Sequence, residues 1–467
     1  MVYKSEKDIL NNEALTTKGN KILIKDAKKF REEIVDNLVD TIILSKDPLL
    51  KKISYWVAYN AGLQLDVVPS SIQGLYDAMG KGKTGRFTVP AMNIRILTFD
   101  LARAVFRAAK KIKAGAFIFE IAKSEIGYTD QRPLEYSSII ILAAIKENYT
   151  GPIFIQGDHF QVKAKNFLKD KDKELDQLKH LIKEAISSSF YNIDIDSSTL
   201  VDLSKPDLDK QQKLNYDVCA LLTKYIRKLQ PKGIDISIGG EIGEVGGKNS
   251  NPQELKAFMQ GYLKTIKSIK GISKISIQTG TSHGGVVLPD GSIAKVSIDF
   301  DTLEKLSEIA RKDYGLAGAV QHGASTLPND AFHRFSEVSC AEIHLATQFQ
   351  NIVYDYLPLS LKEKIYAWLH SKCIKEKKKD WTDDQFIYKL RKKALGPFKK
   401  EIHSLATDAR IKISQVLEEE FSFLFKQLNI KNTKAEITKY IKKVPVNKKK
   451  EDFLKDEKDL GELEGAD

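Results

Sequence analysis

From residue 87 to residue 347, short β-like runs rich in Ile, Val and Phe alternate eight times with stretches of helical length. The runs are FTVPAMNI, AFIFEIA, PIFIQGDH, YNIDIDS, DISIGGEIG, KISIQTGTSHG, LAGAVQHG and AEIHLAT. Between them, segments such as TFDLARAVFRAAKKI and DTLEKLSEIARKDYG carry apolar residues at three- and four-residue spacing, the pattern of helices with one buried face. Strands that alternate with helices form parallel sheets, and eight units are the number that closes a barrel. The expected fold class is therefore α/β, a (β/α)8 TIM barrel. An open doubly wound sheet is the alternative, because one sequence does not reveal strand order.

A barrel of this kind needs about 250 residues, and the chain has 467. In DAKKFREEIVDNLVDTIILS, Phe30, Ile34, Leu38 and Ile42 recur every four residues, so residues 1–80 read as a helical N-terminal extension. The barrel domain spans 81–371. Lys/Glu-rich segments such as SQVLEEEFSFLFKQL make 372–443 a helical C-terminal extension, and 444–467, dense in charge and poor in apolar residues, reads as a flexible tail. The KGKTG segment at 81–85 only superficially resembles a phosphate loop, since a strand rather than a helix follows it.

The net charge is +12, and residues 351–467 hold 26 Lys and Arg against 20 Asp and Glu, closely intermixed. Such mixing describes solvated helix faces. With no finger, helix-turn-helix or aromatic RNA-binding motif beside it, the charge predicts no nucleic-acid partner. The start, MVYKSEKDIL, is charged, and no stretch approaches the roughly 20 apolar residues that cross a bilayer, so no membrane association and a cytoplasmic location are expected. Cys219, Cys340 and Cys373 are few, odd in number and widely spaced, which points to reduced, buried thiols.

Three histidines, His159, His283 and His322, each follow a β-run. They are too far apart for a local metal finger, yet imidazoles from different strand ends can converge on one open-site Zn²⁺. Asp158, Asp194, Asp196 and Glu241 also lie at strand ends, where a barrel presents its reactive groups. Gly284, Gly323 and Ser325 could supply backbone and hydroxyl donors to a phosphate beside the metal. Lys274 begins its run rather than ending it, and so is expected at the barrel end opposite the site.

The stretches VPAMNI, GDH, DIDSS, GGEIGEVGG, TSHGG, HGAS and EIHLATQF, in this order over residues 87–350, resemble the class II, metal-dependent ketose-bisphosphate aldolases, of which fructose-bisphosphate aldolase is the commonest. The resemblance implies that His159, His283 and His322 bind one catalytic Zn²⁺, with Asp196 and Glu241 as alternative metal contacts and room for a second divalent or monovalent cation. Asp158 would be the acid/base acting at the C4 hydroxyl. Asn93, Gly284, Gly323, Ser325, His344 and Thr347 would bind the substrate. It further implies reversible cleavage of fructose 1,6-bisphosphate, or a close ketose bisphosphate, to dihydroxyacetone phosphate and glyceraldehyde 3-phosphate, by a homo-oligomer.

The chain departs from the family at Lys248-Asn249, where an acidic pair is common, at Val287, often lysine, and at His344 and Gln348 on the eighth run. These departures keep a tagatose-bisphosphate or other phosphorylated ketose open as substrate. The segment EIAKSEIGYTDQRPLEY is similar to the accessory subunit of tagatose-bisphosphate aldolase, so a noncatalytic barrel subunit is the further alternative.

Overall fold

The computed structural model describes residues 1–243, 248–280, 287–289, 297–325 and 327–455. Eight parallel strands close a barrel: β1 (Val89–Asn93), β2 (Ile118–Ala122), β3 (Ile155–Gln161), β4 (Asn192–Asp196), β5 (Ser237–Glu241), β6 (Lys274–Ile277), β7 (Ala319–Gln321) and β8 (Glu342–Leu345). Each pairs with its sequence neighbours, and β8 returns to β1 through pairs such as His344 with Ala91. The strands lie where the eight runs predict them, and closure excludes the open sheet.

The outer helices form as their patterns dictate. Helix Thr98–Lys111 buries Leu101, Ala102, Val105, Phe106 and Ala109, which share one face at helical spacing. Helix Pro252–Ile266 starts on a capping box, in which Asn251 accepts from the backbone of Glu254 while the Glu254 carboxylate accepts from the Asn251 N–H. Helix Phe300–Tyr314 stops at Gly315, whose φ of 67° suits a residue without a side chain.

The segment ahead of the barrel is less purely helical than its periodicity predicts. Helices Val35–Leu44 and Pro48–Gln64 are present, but Leu15–Lys18 and Lys21–Ile24 form a hairpin around Gly19-Asn20, a turn pair that a reading for helical spacing passes over. Val67–Pro69 adds a short strand parallel to Gly151–Ile153, just before β3. The next stretch crosses the N-terminal ends of the barrel strands: Ile72 donates its N–H to Asn192 on β4, and Ser71 accepts from the backbone of Ser237 on β5.

After the barrel, helix Thr407–Gln427 lies along helix Thr98–Lys111, with Arg410 gripping Asp100 through both its Nε and Nη2 and Arg107 paired with Glu418. Residues 444–455, expected to be mobile, are docked instead. Phe453 is buried against Tyr59 with ring centroids 5.7 Å apart, and Lys448 Nζ donates to Ser187 O and Ser189 Oγ, each at 2.6 Å. One buried aromatic and one well-partnered ammonium hold a segment that composition alone classes as solvated. Cys219, Cys340 and Cys373 are all free and buried. Among the described residues no helix is long and apolar enough to cross a membrane.

The barrel interior departs from the usual stack of branched apolar side chains. Glu120 on β2, Asp194 on β4, Lys274 on β6 and Glu342 on β8, one residue from each even-numbered strand, meet in a buried charged layer. Lys274 Nζ lies 2.9 Å from both Asp194 Oδ2 and Gln156 Oε1 and also contacts Glu342 Oε1. Gln156 Nε2 donates to Glu342 at 2.8 Å and to Glu120 at 3.1 Å, and Tyr76, from helix Gln73–Gly80, donates its hydroxyl to Glu342. Gly239 on β5 makes the layer possible, because a Cβ there would come within 2.3 Å of Asp194 Oδ1 and 3.0 Å of Lys274 Cε.

Burial pushes all three carboxyls up, and their partners separate them. Glu342 falls to about 2 because Lys274, His344 and Gln156 together outweigh its burial, whereas Glu120 rises to about 8 and Asp194 to about 6. Replacing Lys274 with Met leaves Asp194 and Glu342 without their ammonium and is expected to lower stability by about 3–5 kcal/mol, read as the shift in a denaturant-unfolding midpoint. Gly239→Ala should also destabilise, by about 1–3 kcal/mol, since the added methyl overpacks the layer. A midpoint unchanged in both variants would rule out the charged layer as a structural element.

Candidate active site

The site begins with a fault in β3. Gly157 pairs with Ile193 and Phe160 with Ile195, so β3 carries one more residue than β4 over this stretch, and His159 takes a φ of 40°. Successive residues of a regular strand face opposite sides. The bulge instead lets Asp158 and His159 share the barrel mouth, with His159 Nε2 3.9 Å from Asp158 Oδ1. Gly157 permits it, because a Cβ would strike the buried Phe160 ring at 2.4 Å.

Four neighbouring strands complete the set. His159 Nδ1 lies 3.2 Å from Asp196 Oδ2 at the end of β4 and 3.5 Å from Glu241 Oε2 at the end of β5. Its Nε2 faces His322 Nδ1, just beyond β7, at 3.1 Å, and His322 Nε2 is 3.1 Å from Ser276 Oγ on β6. Ring nitrogens that face each other so closely share either one proton or one cation. His159, Glu241 and His322 each offer a ligand atom within 4.8 Å of the others, a set that suits an N/O-coordinated metal. Asp196 is oriented by Gln161 Nε2 and by the Ser198 hydroxyl, so it holds the His159 ring from behind.

The electrostatics follow from close packing of acids and imidazoles. Burial disfavours the charge on His159, but Asp158, Asp196 and Glu241 around it raise its pKa well above the usual value. Asp158 is held well below the carboxylate range, since the charges of His159 and His344 outweigh its burial. Glu241 is pushed up to about 8, mainly by burial and by the neighbouring Asp196. The imidazoles of His159 and His344, both with raised pKa values, face these acids with positive charge.

The remaining residues expected at the site are placed unequally. Asn93, at the end of β1, donates to Glu125 at 2.7 Å. Ser325 Oγ accepts from the Ala346 N–H at 2.7 Å, and Thr347, which opens helix Thr347–Tyr356, lies 3.5 Å from Arg95 Nη2. Gly323, with a φ of 68°, turns the chain between His322 and Ser325. His283 and Gly284 lie outside the described residues. His344, expected to meet substrate, is only 5% exposed and points among Glu120, Asp158 and Glu342.

Lys274 also needs correcting. Its Cα stands at the start of β6, as expected, but the long side chain runs inward, so Nζ reaches the layer directly below His344. Its acids raise its pKa despite burial, so it stays protonated and is no nucleophile. The departures at Lys248, Asn249 and Val287 take local roles: Lys248 pairs with Glu254, Asn249 donates to Asp299, and the Val287 carbonyl accepts from Gln385 at 2.8 Å. With Thr382 donating to Pro289 O at 2.9 Å, the C-terminal segment holds the chain just beyond the TSHGG motif.

Sequence reasoning missed Glu120, Glu342, Gln156, Arg95 and Glu125. Arg95 Nη1 pairs with Glu125 Oε1 at 3.2 Å and brings a cation to the Thr347 corner. The available signal was an acid inside an otherwise apolar run, FIFEIA for Glu120 and AEIHLA for Glu342, which a parallel strand tolerates only where a partner awaits.

Comparison with known proteins shows what the chain is similar to. A Giardia intestinalis fructose-bisphosphate aldolase is 22% identical over 266 residues, 55% of this chain and 66% of that protein's length, just short of two thirds. Among solved structures, a Sinorhizobium meliloti protein described as a probable tagatose 6 phosphate kinase superposes with a TM-score of 0.50 at 15% identity, covering 76% of this chain and 99% of its own. The Campylobacter jejuni fructose-bisphosphate aldolase does so with a TM-score of 0.47 at 16% identity, covering 79% and 99%. The family model for class-II fructose-bisphosphate aldolase matches residues 74–422, from the helix that carries Tyr76 to beyond the barrel. The chain belongs to the class-II fructose-bisphosphate aldolase family.

Proposed function

We propose that this protein is a metal-dependent aldolase that reversibly cleaves fructose 1,6-bisphosphate, or a close ketose bisphosphate, to dihydroxyacetone phosphate and glyceraldehyde 3-phosphate. The observation that carries the reading is the convergence of His159, Glu241 and His322 beside the buried carboxylate of Asp158, at the barrel end where such folds do their chemistry. Two imidazoles and a carboxylate are a donor set for Zn²⁺ or a similar ion. Asp158 Oδ1, buried and held ionised beside the imidazoles of His159 and His344, fits a group that accepts a proton from substrate.

When bound, a divalent cation would polarise the substrate ketone and stabilise the negative charge that develops as the C3–C4 bond breaks. Asp158, kept ionised by the neighbouring imidazoles, would accept the C4 hydroxyl proton in cleavage and return it in condensation. Asp196 would fix the orientation of the His159 ring. Gly323, Ser325 and Thr347, with the Arg95 guanidinium behind Thr347, would hold a phosphate at one side of the mouth.

Two outcomes test this reading. Thorough chelation should abolish cleavage of fructose 1,6-bisphosphate and added Zn²⁺ should restore it; turnover that survives metal removal unchanged would refute the mechanism. Asp158→Asn should lower kcat about 10²- to 10⁴-fold, measured in a coupled assay for the triose phosphates. A wild-type protein without turnover on any ketose bisphosphate, when loaded with Zn²⁺, would favour the noncatalytic subunit instead.

A further inference from the structure

The net positive charge of the chain is not spread evenly. Residues 372–400 hold 11 Lys and Arg against 4 Asp and Glu, a surplus of +7 in a chain whose total is +12. The C-terminal part as a whole mixes its charges, but this stretch does not, and two of its acids are already engaged, Asp383 by Lys377 and Glu376 by Lys393. Its contacts fix where it lies. Thr382 and Gln385 donate to the carbonyls of Pro289 and Val287 beyond β6, Arg391 lies over the Tyr354 ring at 4.6 Å beyond β8, and Gly396 donates its N–H to Tyr128 O at 2.9 Å beyond β2. Each of these partners follows the C-terminal end of a barrel strand, so the basic stretch packs along the end of the barrel that carries the site.

The cations of this stretch crowd one another. Lys389, half-buried, has its pKa lowered by burial and then by the charges of Lys392 and Lys378. Lys392 Nζ stands 5.8 Å from the centre of the Tyr128 ring, Tyr128 Oη accepts from Arg95 Nη1 at 2.7 Å, and Arg95 reaches the Thr347 corner of the mouth. Like charges gathered by folding repel one another, and together they set up a field that draws anions. We propose that residues 372–400, in which Lys378, Lys389 and Lys392 act together, are an electrostatic collector that concentrates a doubly phosphorylated substrate at the barrel mouth. The inference rests on the reading of that substrate as a ketose bisphosphate. Such a molecule carries about three to four negative charges at neutral pH, so the surplus of +7 acts on it far more strongly than on a neutral sugar. The role lies in capture and not in the chemical step, and it is exerted through charge rather than through any one contact.

The test is the steady-state kinetics of the metal-loaded full chain on fructose 1,6-bisphosphate at ionic strengths of about 10 mM and about 1 M, where charges are screened beyond about 30 Å and about 3 Å. A triple variant, Lys378→Gln, Lys389→Gln and Lys392→Gln, is expected to lose roughly threefold or more in kcat/KM at low salt with kcat unchanged, and to match the wild type at high salt. The same three lysines changed to Arg should keep the wild-type value at both, since the charge is retained. Equal kcat/KM for the Gln variant and the wild type at low salt, or a loss that high salt leaves in place or that Arg does not restore, overturns the inference while the proposed reaction stands. If the wild type turns over no ketose bisphosphate, it is the proposed reaction that fails. Calorimetric affinity for fructose 1,6-bisphosphate, over the same variants and salts, then decides the inference by the same criteria, and no binding by the wild type at low salt also overturns it.

Discussion

The contact between Lys274 and the carboxylates of Asp194 and Glu342 is the constraint on which the barrel interior depends. Its ammonium lets β4 and β8 turn acids inward where a barrel ordinarily packs branched hydrocarbons. Its consequences spread through the layer. Gly239 must lack a side chain, Tyr76 must enter from below to reach Glu342, and Gln156 must bridge Glu120 and Glu342. Because Glu342 is held ionised, the imidazole of His344 directly above it has an acid on either side.

On that floor the site is assembled by backbone geometry as much as by residue type. The extra residue in β3 turns Asp158 and His159 to the same face, and this converts neighbours in sequence into an acid and a ligand within one cavity. Asp196, Glu241 and His322 then close on His159 from β4, β5 and β7. The resulting charge balance is local, with Asp158 ionised because imidazolium charges face it and Glu241 raised because burial and Asp196 oppose its ionisation.

The segments outside the eight strands are bound into this centre. Helix Gln73–Gly80 contributes Tyr76 to the charged layer, and Gln385 and Thr382, far along the chain, hold the backbone at Val287 and Pro289 beyond the TSHGG motif. The family match likewise runs from residue 74 to residue 422, beyond the eight strand units at both ends.

Periodicity by itself determined the eight units and the outward helix faces, because both are repeats of local geometry that the backbone imposes on any chain. The positions of GDH and HGAS along it were enough to place Asp158, His159 and His322 at strand ends. Residue types alone could not show that Lys274 reaches inward, that His344 stands among acids, or that residues 444–455 dock. These outcomes rest on contacts between residues far apart in the chain: Lys274 with Asp194 and Glu342, His344 with Glu120 and Asp158, and Phe453 with Tyr59. Such contacts exist only after the barrel has closed, since closure brings distant strands within reach and removes the water that would otherwise solvate each charge separately.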